Sequence, residues 1–214
     1  MKTIRIGSYY RSKILHTIKG LTPVRRVVDV GSHDGYLLSF FPDSFAVAVD
    51  ISMPSERINC PFVVADAMAL PFAASSFDLI LLMDVIEHIE DDSGLSDSLA
   101  RILNKDGLLF LTTPSENIKL FPGFLTKAIS KKWGHIFRLG YSTEKLTFLF
   151  QSNFFVEVQN WNAPYFRYFY LLLKFISIVS KRIAFLILDR VALYDAKHKN
   201  GLLGYLLLTG RVKK

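Results

Sequence analysis

The sequence predicts a doubly wound α/β fold built on a mostly parallel sheet. Residues 26–30 are an apolar run rich in valine, which is typical of a buried strand. Gly31 and Gly35 follow this run, as expected where a strand turns sharply into a helix. A second apolar run, 45–50, ends in Asp50 about 20 residues beyond that turn, where such folds place a carboxylate on a ligand. The pattern therefore predicts a ligand site at the carboxyl ends of the strands.

Apolar runs alternate with amphipathic stretches along the rest of the chain. With 214 residues, half of them hydrophobic, the chain can bury a core without metal or disulfide support. We expect one domain over 1–214, with an N-terminal helical segment at 1–24 that lies across the ligand site and a helical insertion at 162–200. The predicted strands lie near 26–30, 45–50, 61–65, 77–83, 107–113, 154–160 and 203–210. The predicted helices lie near 8–19, 35–41, 93–103, 122–131, 143–152 and 165–190.

Acidic residues stand at the ends of the first four apolar runs. A single such aspartate often only caps the following helix. Four at successive strand ends instead favour a shared site, because ligands in an open parallel sheet bind outside the carboxyl ends of its strands. These residues are Asp29, Asp50, Asp66 and Asp84.

The glycine turn argues against a dinucleotide site of the usual kind. That fingerprint is G-x-G-x-x-G, whereas Gly31 and Gly35 are separated by three residues. His33 stands between them, and histidine tolerates a positive φ better than most residues. We therefore expect the tight turn to form with a different cofactor.

These motifs resemble the S-adenosylmethionine-dependent class I methyltransferases, in their type 11, small-molecule branch. The first motif of that family runs acid-x-Gly-x-Gly-x-Gly, and residues 29–35 match it with His33 in place of the middle glycine. Residues 62–72 match the family's D-A-x-x-L-P-F segment, and 76–89 are close to its F-D, apolar strand, E-H signature. Two later segments are also similar to the family, 134–146 and 204–211.

The resemblance implies a Rossmann-like sheet of seven strands in the order 3-2-1-4-5-7-6, the last antiparallel, with a C-terminal helical insertion. It implies S-adenosyl-L-methionine as cofactor and S-adenosyl-L-homocysteine as product. Asp50 is expected on the ribose, 66–68 against the adenine and 31–35 beside the methionine portion, since such a cofactor needs acceptors for its hydroxyls and an anion near its cation. The expected cofactor-binding residues are Asp29, Gly31, His33, Gly35, Asp50, Ile51, Asp66, Ala67, Met68 and Asp84.

His88 and His135 are the candidate catalytic residues. Methyl transfer has a good leaving group, so holding nucleophile and methyl in line can supply much of the rate and no protein nucleophile is required. If the acceptor is a hydroxyl, either imidazole can act as a base; if it is a carboxylate, positioning can suffice. Each histidine can equally be a loop residue without a chemical role.

Cysteine use predicts no metal site and no disulfide. Cys60 is the only cysteine, so an intrachain disulfide is excluded and a reducing cytoplasm is the natural setting. The cysteine and the histidines do not have zinc-ligand spacing.

Charge is divided unevenly, with +7 over 1–26, −11 over 27–126 and +11 over 127–214. The basic ends favour a polyanionic partner or are simply solvated lysines.

Residues 164–190 are very apolar, and cations at 167, 174 and 181 repeat every seven residues, which puts them on one helix face. The charges make a spanning helix unexpected. We consider three roles for this segment: a lid over the site, a dimer interface, or peripheral contact with the inner face of an anionic membrane.

The sequence therefore predicts a methyltransferase that acts on a small-molecule or lipid-like acceptor, with O- or C-methylation favoured. Three alternatives remain. A cofactor-binding protein without catalysis would keep the glycine turn, and a dehydrogenase would need the turn to bind pyrophosphate. A nucleic-acid methyltransferase is disfavoured, because base-methylating enzymes carry an Asn/Asp-Pro-Pro-Tyr/Phe motif where this chain has residues 83–86 as Met-Asp-Val-Ile.

Overall fold

The computed structural model describes residues 4–15, 24–54, 58–132, 134–161, 164–197 and 205–213. In these ranges, a sheet carries helices on both faces. Its strands are β1 (Arg26–Val30), β2 (Phe45–Asp50), β3 (Phe62–Val64), β4 (Phe77–Met83), β5 (Leu103–Pro114), β6 (Phe154–Trp161) and β7 (Tyr205–Val212). The α-helices are α1 (Ile6–Leu15), α2 (Leu95–Ile102), α3 (Thr126–Lys132), α4 (Thr143–Phe150), α5 (Pro164–Tyr168), α6 (Tyr170–Val179) and α7 (Lys181–Lys197). Short 3₁₀ helices cover Tyr36–Phe40, Ile86–His88 and Gly123–Leu125.

The strand order is β3-β2-β1-β4-β5-β7-β6, as predicted. All neighbouring pairs are parallel except those of β7, which runs antiparallel to both β5 and β6. The order reverses between β1 and β4. In open α/β sheets the crevice at such a reversal is the preferred ligand site, so the topology places a site beyond Val30 and Met83.

Alternate residues of the strands fill two separate cores. In β4, Ile80 and Leu82 face one core with α2 and α4, whereas Leu79 and Leu81 face the other with α1, α6 and α7. Both faces of the central strands are buried, which explains why they read as continuous apolar runs and not as alternating ones. The unbroken apolar sequences of these strands are therefore explained by the helical layers that cover both faces of the sheet.

The predicted helix at 165–190 is wrong in one respect, because the structure breaks it into α5, α6 and α7. Ser180 has extended dihedral angles (φ −153°, ψ 108°) and separates α6 from α7. Lys174 and Lys181 therefore lie on different helices, and the seven-residue repeat of cations does not form one continuous helix face. Among the described residues, no helix has both the length and the apolar character needed to span a membrane.

Helix α1 is held against the C-terminal helices by two tyrosines. Tyr10 stacks on Phe166 with ring centroids 3.9 Å apart, and its hydroxyl donates to the buried Asp195 at 2.9 Å. Tyr9 donates to Asp189 at 2.9 Å, and Lys13 forms an ion pair with that same carboxylate at 2.8 Å. These contacts pack α1 against α5 and α7, so the position of α1 depends on the C-terminal helices. The predicted helix residues 16–19 lie outside the described ranges.

Candidate active site

The turn after β1 is built on three residues with positive φ. Gly31, His33 and Gly35 have φ of 77°, 46° and 63°. The amides of Gly31 and Ser32 both donate to the carbonyl of Val49, at 2.8 and 2.9 Å, which ties the turn to β2. A Cβ on Gly31 would lie 2.2 Å from Cγ2 of Val85, so the loop after β4 packs directly on the glycine.

Two carboxylates form the edge of the site at β2 and β3. Asp50 accepts the His33 amide at Oδ2 (3.0 Å) and the Ile51 amide at Oδ1 (2.8 Å). Asp66 accepts the Met68 amide at Oδ1 (2.9 Å). Each carboxylate oxygen has two lone pairs, so both side chains keep acceptor capacity for a bound hydroxyl or amine.

Asp29 lies beneath the turn and is 1% exposed. Burial raises the pKa of its carboxyl to about 8; Asp34 adds to the shift and Arg11 opposes it. Within the described residues, Oδ2 of Asp29 has no hydrogen-bond partner. A cation bound nearby would restore the charged form of this acid, since an opposite charge lowers a carboxyl pKa.

Asp84 ends β4 with φ of 57° and links the sheet to α1. Its Oδ2 accepts from Nη2 of Arg11 at 2.8 Å, and its Oδ1 accepts from the Thr112 hydroxyl at 2.9 Å. Burial alone would lower the pKa of Arg11, but the Asp84 carboxylate raises it. The ion pair therefore holds α1 over the end of β4 with both groups charged.

Two imidazoles and a carboxylate meet at the loop after β4. The rings of His88 and His135 pack edge to face with centroids 4.8 Å apart. Nε2 of His135 lies 4.0 Å from Oε1 of Glu87, and Oε2 of Glu87 accepts from the Thr113 hydroxyl at 3.1 Å. The side chain of Glu87 is fully buried and that of His135 is 6% exposed, whereas His88 is exposed. The two histidines that the sequence indicated thus join one buried acid.

Tyr141 holds the two loops of this cluster together. Its buried hydroxyl donates to Asp92 at 2.6 Å, and Arg138 contacts both groups. Burial raises the pKa of Tyr141, so the phenol remains a donor across the physiological pH range.

Gly134 has φ of 90°, and a Cβ there would lie 3.2 Å from Nδ1 of His88. The glycine therefore lets the His135 loop approach His88 closely.

A cavity of about 650 Å³ joins the glycine turn, the two edge carboxylates and the histidines. Residues from α1 and α6 complete its walls, including Arg11, Tyr170 and Lys174. This volume is in the range of small-molecule sites. Nine of the residues that the sequence predicted line it: Gly31, His33, Asp50, Ile51, Asp66, Ala67, Asp84, His88 and His135.

Three predicted cofactor-binding residues do not line this cavity. Asp29 is buried beneath it, Gly35 lines a neighbouring cavity of about 660 Å³, and Met68 is partly buried against the core of α2 and α4. Sequence reasoning missed Glu87, although it stands in the E-H signature, and missed Arg11, whose partner is distant in the chain. A buried acid next to a candidate histidine was the available signal for Glu87.

The strand order, with the glycine turn at the end of β1, is that of the class I methyltransferase fold. The chain belongs to the methyltransferase domain family, whose profile matches residues 5–152. The expectation drawn from the motifs is thus confirmed at the level of family and fold.

Three known proteins illustrate the similarity. A demethylmenaquinone methyltransferase of Roseiflexus castenholzii is 31% identical over 94 residues, which cover 38% of this chain and 40% of that relative. A ubiquinone biosynthesis O-methyltransferase of Coxiella burnetii is 24% identical over 136 residues, 56% of each chain. The solved structure of 1,6-didemethyltoxoflavin-N1-methyltransferase of Burkholderia thailandensis aligns with a TM-score of 0.60 at 18% identity, over 97% of this chain and 80% of that one. The chain spans 39% to 44% of the length of the first curated relatives it matches.

Proposed function

We propose that this protein transfers a methyl group from S-adenosylmethionine to a hydroxyl, or to the activated carbon beside one, on a small apolar or lipid-like acceptor. One observation carries the proposal: a single cavity runs from the glycine turn and Asp50 to the imidazoles of His88 and His135. Two matched relatives are named for quinone biosynthesis, which supports a phenol or quinol acceptor as the first class to test.

The cavity-lining residues near the glycine turn fit S-adenosylmethionine. Asp50 and Asp66 present carboxylate oxygens that are suited to ribose hydroxyls and an adenine amine. Asp84 lines the cavity and Asp29 lies buried beneath it, so two carboxyl groups are available near a cationic ligand, and such a ligand would favour the charged form of Asp29. When bound, S-adenosylmethionine supplies a methyl carbon whose bond to sulfur breaks as the bond to the acceptor forms, leaving neutral S-adenosylhomocysteine.

The apolar part of the cavity lining is suited to an apolar acceptor. Phe166, Tyr170 and Tyr205 contribute aromatic surface to it, and Val85 and Ile89 contribute aliphatic surface. His88 and His135 also line the cavity, and their imidazoles can contact an acceptor hydroxyl. We propose that they bind the reacting atom and hold it in line with the methyl carbon, so that positioning supplies much of the rate.

A direct test is the release of S-adenosylhomocysteine with panels of phenols, quinols, lipid alcohols, sugars and carboxylic acids. We expect turnover with phenols or quinols, and mass spectrometry should place the new methyl on oxygen or on the adjacent ring carbon. Cofactor binding without turnover on any panel would contradict the proposal and favour a non-catalytic binding protein.

Replacing His135 with glutamine is expected to lower turnover about 100-fold or more, because removal of an acid–base or hydrogen-bonding group at the reacting atom has effects of this size. Affinity for S-adenosylhomocysteine should change by less than about threefold, since His135 lies away from the carboxylate edge. The control is Glu90→Gln, which alters an exposed residue close to the same loop. Equal turnover of the two variants would remove His135 from the proposed site.

We also propose that α6 and α7 dock on an anionic membrane surface and bring the cavity to a lipid-like acceptor. Of the two acids of these helices, Asp195 is buried and accepts from the Tyr10 hydroxyl, and the partly exposed Asp189 forms an ion pair with Lys13. The exposed surface is therefore apolar and basic. The apolar residues that are more than half exposed there are Leu172, Phe175, Ile178, Val179, Ile183, Leu186 and Leu193, and the exposed cations include Lys174, Lys181, Arg182 and Arg190.

Charge complementarity favours a membrane over a second copy, because two such basic faces would repel each other. We expect the protein to sediment with phosphatidylserine liposomes at low salt, and Lys174→Glu with Lys181→Glu to abolish this. The matched control is Lys105→Glu with Lys145→Glu, which changes the net charge equally away from α6 and α7. Equal loss in both double variants, or a dimer that does not sediment, would refute docking through this face.

A further inference from the structure

The cluster of Glu87, His88 and His135 offers three ligand atoms, all within 4.8 Å of one another. The atoms come from one carboxylate and two imidazoles, and both histidines line the cavity. The side chain of Glu87 is fully buried and that of His135 is 6% exposed. The positions of this acid and this base are therefore fixed by the residues packed around them. This fixed pair and the exposed histidine beside it together provide the types of donor atom that bind metal ions.

The donor set is that of a divalent transition metal. Imidazole suits Zn²⁺, Co²⁺ and Fe²⁺, and two histidines with one carboxylate leave coordination positions open for another ligand. Ligand atoms about 2.1 Å from one ion lie about 3 to 4 Å apart. The widest pair must therefore close by about 1 Å, which a rotation of the exposed His88 side chain can provide.

The local charges are compatible with a cation. Arg11 interacts electrostatically with Glu87, but its ion pair with Asp84 at 2.8 Å offsets its charge. The carboxyl group of Glu87 lies beside both imidazoles and can bind a cation together with them. Lys132 also lines the cavity, but its side chain is exposed to solvent, where charge is screened.

We propose that Glu87, His88 and His135 bind a divalent transition-metal ion of the Zn²⁺, Co²⁺ or Fe²⁺ type on the acceptor side of the cavity. The inference rests on the proposed function for its role: the two histidines then act on the acceptor hydroxyl through the ion, which polarises the hydroxyl and favours release of its proton to solvent before methylation. The site itself does not depend on the acceptor, and binding can be measured without one.

Metal-stripped protein titrated with Co²⁺ tests the site directly. We expect one ion per chain with a dissociation constant of about 10 μM or below, and a visible d–d absorption stronger than that of aqueous Co²⁺. Glu87→Gln and His135→Gln should each weaken binding at least tenfold, whereas Glu90→Gln, which removes an exposed carboxylate close to the cluster, should leave it unchanged. Thermal unfolding and S-adenosylhomocysteine binding verify that each variant is folded.

An aqueous-type Co²⁺ spectrum, or equal binding by wild type and the cluster variants, would overturn the metal site. Turnover assays separate this failure from failure of the proposed function. Full turnover in the presence of a chelator, with His135→Gln inactive, retains the methyltransferase and rejects the metal. Cluster-dependent Co²⁺ binding without turnover on any acceptor retains the metal site and rejects the reaction.

Discussion

Replacement of Asp50 with alanine is expected to weaken binding of S-adenosylhomocysteine by more than tenfold. We expect about 100-fold weaker binding if the substitution both disorders the glycine turn and removes the contact with the ribose. The carboxylate orders the turn through the amides of His33 and Ile51, at 3.0 and 2.8 Å. In the proposed complex, its remaining lone pairs accept from ribose hydroxyls. An unmet hydrogen bond in a desolvated site costs about 1 to 3 kcal/mol, and about 1.4 kcal/mol corresponds to a factor of ten.

Isothermal titration calorimetry measures this effect, and two variants separate its causes. Asp50→Asn keeps one acceptor oxygen and should give an intermediate affinity. Asp43→Ala removes an exposed acid from the other end of β2 and should leave the affinity unchanged. An Asp50→Ala protein that binds as tightly as wild type would show that the ribose lies elsewhere.

Replacement of Gly31 with alanine is expected to lower the free energy of unfolding by about 2 to 5 kcal/mol. The positive φ of 77° costs a residue with a Cβ about 1 to 2 kcal/mol. The added methyl would also lie 2.2 Å from Cγ2 of Val85, and overpacking of this kind costs about 1 to 3 kcal/mol. Urea unfolding monitored by circular dichroism measures the sum.

The control is Gly123→Ala, because a Cβ at that position meets nothing within 4 Å. The double variant Gly31→Ala, Val85→Ala removes the clashing methyl groups and should cost less stability than the two single changes added together. Equal midpoints for wild type and Gly31→Ala would contradict the close packing of the β4 loop on the turn.

The central strands could be predicted because each is buried on both faces and therefore has an unbroken apolar run. Asp50 and Asp66 could be placed because parallel strands end at one edge of the sheet. The order of the strands came from the resemblance to a family, since nothing local in Phe154–Trp161 or Tyr205–Val212 indicates which neighbour it pairs with. Local pattern thus predicts elements, and topology requires family information.

The remaining parts of the site depend on tertiary contacts. Arg11 and Asp84 are far apart in the chain, and their ion pair exists only because α1 folds across β4. The sequence pattern does not indicate a contact between His88 and His135. In the folded structure, the loop after α3 brings His135 next to His88 and Glu87. The break at Ser180 was also missed, because the residues on both sides have strong helical patterns.

The central claim is that the cavity beyond the glycine turn binds S-adenosylmethionine and its product. Calorimetry with S-adenosylhomocysteine and with nicotinamide dinucleotides tests it most directly. We predict saturable binding of S-adenosylhomocysteine at one site per chain, weakened by Asp50→Ala, and no binding of the dinucleotides. Saturable dinucleotide binding with none for S-adenosylhomocysteine would contradict the account.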